Sequence, residues 1–93
     1  MAINQVQTNR SPTNLEDTML IAFLVMKGHK IKPWQDTEDK DHVSFDILGD
    51  QKQINEDIES FYSNEQVGVH EYVKCLKEVK SQMYSFKKTI NKN

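Results

Sequence analysis

The chain has 93 residues, a formal net charge of -2 and 37% hydrophobic residues, which fits one small domain and leaves no room for a second. With glycine added, the apolar share is about 40%, below the roughly 45–50% of typical globular chains. The charged share of 28% is ordinary, so the composition describes a folded domain with a thin core and excludes a disordered acidic chain.

Residues 1–12 are polar, lack any period and end in Ser11-Pro12; they read as a flexible tail, with a single domain expected over residues 13–90. They contain no basic segment followed by an apolar one, so no signal peptide is expected. The first helix is expected to start at Thr13, because Thr13 and Glu16 have the spacing of a capping box, with Asn14 as the alternative cap. Asp17 adds negative charge where the helix dipole favours it. Residues 19–26 are eight consecutive apolar residues, and Gly28 supplies the left-handed stop. A helix apolar on all sides must be covered on all sides. The same run is far short of the roughly 18–20 residues that span a bilayer.

Beyond Gly28 the period becomes alternating. Ile31 and Pro33 share one parity, Lys30, Lys32 and Trp34 the other, and Val43, Phe45 and Ile47 alternate with His42, Ser44 and Asp46. This predicts a hairpin around the polar residues 35–41. Pairing Ile31 with Phe45 sets Lys32 opposite Ser44, Lys30 opposite Asp46 and Trp34 opposite His42, and requires an odd number of loop residues. Pro33 marks an edge strand or a bulge.

Asp50 and Gln53 form a second capping box. Ile54, Ile58, Phe61 and Tyr62 then share one helical face, and residues 63–68 break the helix. In the last helix Tyr72, Leu76, Val79, Met83, Phe86 and Ile90 form a continuous apolar seam. The predicted fold is α+β, in the order α-β-β-α-α, with the hairpin packed against the helices.

Taken in order, Asp17, residues 20–24, residues 27–31, residues 43–45, Ile58, Phe61, Tyr62, Tyr72, Leu76, Lys77 and Tyr84 resemble a family of small phage- and prophage-type bacterial proteins, catalogued as a domain of unknown function. The resemblance covers roughly residues 13–84 and rests mostly on packing positions. Leu15 departs from it, standing where a small polar cap is expected. The resemblance implies the fold and a phage-like setting, and it brings no catalytic residues.

Little chemistry is expected from the residues. The acidic turn 36–41 lacks the glycine and glutamate of a calcium loop. His29, His42 and His70 have no zinc spacing with the single Cys75, so no metal or cofactor is expected. The spacing of the three glycines excludes a phosphate loop, and nothing suggests an enzyme. Cys75 beside Leu76 reads as a packed thiol, and a lone cysteine fits a reducing compartment, the cytoplasm or a host cytoplasm.

Charge is distributed unevenly: residues 33–69 carry a net -8 and residues 70–93 a net +4. Lysines flanking an apolar seam read as a solvated rim. The alternative is a basic face of Lys30, Lys32 and the terminal lysines, suited to phosphate. Trp34 either stays on the lysine face, where it could stack a base or anchor a protein, or is returned to the core margin by a bulge at Pro33. The sequence thus leads to a non-enzymatic protein-interaction or self-associating module without a membrane role. A nucleic-acid contact through Lys30, Lys32, Trp34 and His42 is the rival. A homo-oligomer is expected, through apolar area left over at Leu20, Leu24 and Val25 and at Phe86 and Ile90.

Overall fold

The computed structural model describes residues 13–35 and 43–91. Three helices and a three-stranded antiparallel sheet follow the order α-β-β-α-α, preceded by one very short strand. In chain order these are β1 (Asn14–Leu15), α1 (Thr18–Met26), β2 (Lys30–Gln35), β3 (Val43–Leu48), α2 (Gln51–Tyr62) and α3 (Val69–Asn91). The sheet order is β1-β3-β2, so β3 is central and β2 is an edge strand.

The start of α1 differs from the capping box expected at Thr13. Asn14 and Leu15 pair with Asp46 and Phe45, and the Ile47 amide donates to the Thr13 carbonyl at 3.0 Å. Sheet pairing therefore claims these residues, and Leu15 packs against the core instead of occupying a cap position. Asp17 is the cap: its carboxylate accepts from the Met19 amide at 3.0 Å and the Leu20 amide at 3.4 Å, satisfying donors that a helix start leaves unpaired. At the other end Gly28 has φ +102°. The Gly28 amide donates to the Val25 carbonyl and the His29 amide to that of Leu24, the paired bonds of a Schellman stop. Only a residue at ease with positive φ turns the chain here into β2.

The all-round apolar character of α1 is used inside the chain. Residues 20–24 are buried, with α3 packed along one side, α2 along another and β3 against a third. Ile21, Leu24, Phe45, Ile47, Ile54 and Val79 fill the centre with 1% exposure or less. Each such burial contributes roughly 1.5–3 kcal/mol. Phe61 of α2 meets Phe23 edge-on at 5.5 Å between ring centroids, a favoured aromatic geometry.

The hairpin register is displaced by two residues from the expected one: Ile31 lies opposite Ile47 and Pro33 opposite Phe45. The displacement is even, so every side chain keeps its predicted face. It places apolar Ile31 against apolar Ile47 and Lys32 against Asp46, where the expected pairing would have set Lys32 against Ser44. The ladder runs without interruption from Lys30↔Leu48 to Gln35↔Val43, so no bulge occurs at Pro33, which an edge strand accommodates.

In α2 the Asp50 carboxylate accepts from the Gln53 amide at 3.3 Å, as the capping spacing predicts. The Gln53 side chain does not reach back to complete the box. It donates to Asp57 Oδ1 at 3.2 Å. Ile54 is buried and Ile58 and Phe61 pack against the core, but Tyr62 is 70% exposed. Tyr62, in the last turn of α2, rests edge-on against Phe61 at 5.2 Å between ring centroids, and the chain leaves the helix through Asn64 at φ 67°. In α3, Val79 is buried, and Tyr72, Leu76, Met83 and Phe86 lie along the core as the seam requires.

Candidate interaction surface

Lys30, Lys32 and Trp34 lie together on one face of β2, each exposed, while Ile31, Pro33 and Gln35 are half-buried on the other. Trp34 stays with the lysines at 37% exposure, because the unbroken ladder leaves no bulge to rotate it. Across the strand their partners are Leu48, Asp46 and Ser44. Ser44 and Asp46 are buried, and Asn14 Nδ2 donates to Asp46 Oδ1 at 2.7 Å. His42 and the acidic turn lie outside the described residues.

The lysines of α3 do not join this face. Pro33 borders α3 beside Ser81, Gln82, Ser85 and Phe86, and strand alternation turns Lys30, Lys32 and Trp34 to the opposite side of the sheet. The single basic face considered from the sequence is therefore two separate groups.

The residues expected to mediate self-association are placed inward. Leu20 is 3% exposed and Leu24 fully buried, because the chain's own α2, α3 and sheet enclose α1 more fully than its small size suggests. Val25 and Phe86 are half-buried and pack against the same core, and the large apolar side chain that α1 leaves exposed among the described residues is Met19, at 57%. The side chain of Ile90 lies outside the described residues.

A different apolar set is open on α3. Val69 is 74%, Val73 39% and Tyr84 60% exposed. Their spacing, with Lys77 and Lys80 between, winds one stripe along the helix beside the buried seam. Val69 and Val73 are four residues apart, a signal visible in the sequence but overshadowed there by the stronger Tyr72-to-Ile90 seam.

Sequence reasoning also missed a buried polar pair. His29 Nε2 lies 2.6 Å from Asp57 Oδ2, with the two side chains only 8% and 9% exposed. Gln53 holds the other carboxylate oxygen. Asp57 falls in the middle of the apolar angle of α2, between Ile54, Ile58 and Phe61, and an acid at such a position signals a buried partner. Beside it Lys27 Nζ lies 2.6 Å from Glu65 Oε2 and 5.3 Å from the Phe23 ring centroid. Its hydrogen bond to Glu65 raises the lysine pKa. These contacts tie the end of α1 to α2 and to the segment after it.

Cys75 is half-buried and packs against the core. Burial raises its thiol pKa, with Glu78 adding to the rise, the opposite of what an activated nucleophile needs. Among the described residues no group of His, Cys, Asp or Glu is arranged to hold a metal ion, and no helix is long and apolar enough to cross a membrane.

A family model described as a domain of unknown function, DUF5659, matches residues 13–85. The chain belongs to that family. The DUF5659 match takes in every described element except the end of α3, and so both the lysine face of β2 and the α3 stripe as far as Tyr84. No curated protein and no solved structure matches the chain.

Proposed function

We propose that this DUF5659 protein is a non-enzymatic interaction module, an accessory protein of phage or prophage type that works in the host cytoplasm. It docks a protein partner through the outer stripe of α3. The observation that carries the reading is the exposure of Val69, Val73 and Tyr84 along one line of a helix whose other apolar side is already committed to the core. Exposed apolar side chains grouped in this way mark contact sites, and tyrosine is a frequent anchor in them. Lys77 and Lys80 within the stripe select a partner with carboxylates beside its apolar ridge. The phage setting is supported by the family resemblance alone.

A photo-crosslinking residue at position 73 or 84, introduced into the full chain and irradiated in a lysate of the source cell, tests the surface. Discrete protein adducts are expected from both positions and not from position 78, exposed on another side of α3. Adducts equally abundant from all three positions would overturn the assignment.

The second reading, a nucleic-acid contact, is favoured by one observation: Trp34 stays beside Lys30 and Lys32 on an exposed strand face, a combination suited to stacking a base near phosphate. Under this reading oligothymidylate quenches Trp34 fluorescence, and the affinity falls steeply as salt is raised. The net charge of -2 weighs against it.

A further inference from the structure

We infer that the partner docked on α3 is a second copy of the same chain, contributing the outer face of its α2. The inference rests on the reading of the α3 stripe as a docking surface. On α2, Glu56 and Glu59 are exposed three residues apart, side by side on the helix face turned away from Ile54 and Phe61. On α3, Lys77 and Lys80 are exposed at the same interval. Laid parallel, the two helices set Glu56 against Lys77 and Glu59 against Lys80, since both rise about 1.5 Å per residue.

None of these four charges has an ion-pair partner among the described residues, whereas Lys27 and Glu65 are already paired. Two pairs of exposed charges of opposite sign therefore stand without an ion pair among the described residues. A two-fold axis forms the contact twice, α2 on α3 and α3 on α2, doubling the area buried by one complementary pair of surfaces. Charges at such a contact set its register and its salt dependence.

Sedimentation equilibrium of the full chain across the micromolar range tests the inference, with far-UV circular dichroism confirming that each variant is folded. A monomer–dimer equilibrium is expected, weakening as salt is raised. Lys77→Glu with Lys80→Glu, and separately Glu56→Lys with Glu59→Lys, should each raise the dissociation constant by at least roughly tenfold. Mixing the two reversed proteins should restore a dimer, because both contacts of the mixed pair regain opposite charges. A wild-type protein that stays monomeric, or a dimer indifferent to salt and to both reversals, overturns the inference. Adducts from positions 73 and 84 to a different protein would leave the docking surface standing while removing the second copy as its occupant.

Discussion

At the scale of single residues, the His29–Asp57 pair is a buried polar contact on which stability depends. Both groups are more than nine-tenths buried, and the contact joins the turn after α1 to α2. Removing one partner leaves the other in an apolar setting without its hydrogen bond, which costs far more than the net worth of the intact pair. Asp57→Leu and His29→Leu are each expected to lower the unfolding free energy by about 3 kcal/mol. The double substitution should lose less than the sum, because it leaves no orphaned group. Urea unfolding of the four proteins checks this, and strictly additive losses would show that the pair is not coupled. Gly49 belongs to the same locality: it has φ +129°, so a side chain there would strain the backbone, and its Cβ would come into contact with His29 Nδ1 at 3.4 Å.

At the scale of elements, α3 is fixed to the start of α1 by Tyr72, whose hydroxyl donates to the Met19 carbonyl at 2.8 Å. Burial raises the phenol pKa above its ordinary value of 10.0, and Asp17 adds to the rise. A raised folded-state pKa means that above pH 10 the unfolded chain releases this proton before the folded one does. The stabilisation is complete below the ordinary value and is lost as pH climbs through the raised one. Unfolding midpoints should therefore fall above pH 10 more steeply for the wild type than for Tyr72→Phe, which lacks the ionisation. At neutral pH the variant should be less stable by about 0.5–1.5 kcal/mol, the worth of one hydrogen bond; parallel pH profiles for the two proteins would discount Tyr72 as a source of the dependence. The elements also show what could be read in advance. Hydrophobic period and glycine placement located three helices, the hairpin and the faces of its strands, because these depend on local pattern. Thr13 misled because pairing with the distant β3 outweighed a local cap. The register slipped by two because parity alone does not distinguish Phe45 from Ile47 as the partner of Ile31. The α3 stripe went unread because Val69 and Val73 announce themselves only once Tyr72, Leu76 and Val79 are known to take the buried side.

At the scale of the whole molecule, α1 is the common wall of every packed layer. It touches α2, α3 and β3, and its five residues 20–24 make up much of a small core. Half of the ten buried apolar side chains among the described residues belong to α1, so no part is expected to stay folded alone. Unfolding should be a single cooperative transition, as in most domains of this size. The molecule carries its own paired reporters: Trp34, the only tryptophan, sits on β2, while far-UV ellipticity is dominated by the helices. Denaturant curves from Trp34 fluorescence and from ellipticity are expected to coincide at one protein concentration. Leu24→Ala, at a fully buried position, should shift both curves together by about 2–5 kcal/mol. Against a total stability of about 5–15 kcal/mol for natural domains, that loss removes a large fraction of what holds the fold. If fluorescence changed well before ellipticity, the sheet would be separable from the helices, and α1 could not be the wall that both depend on.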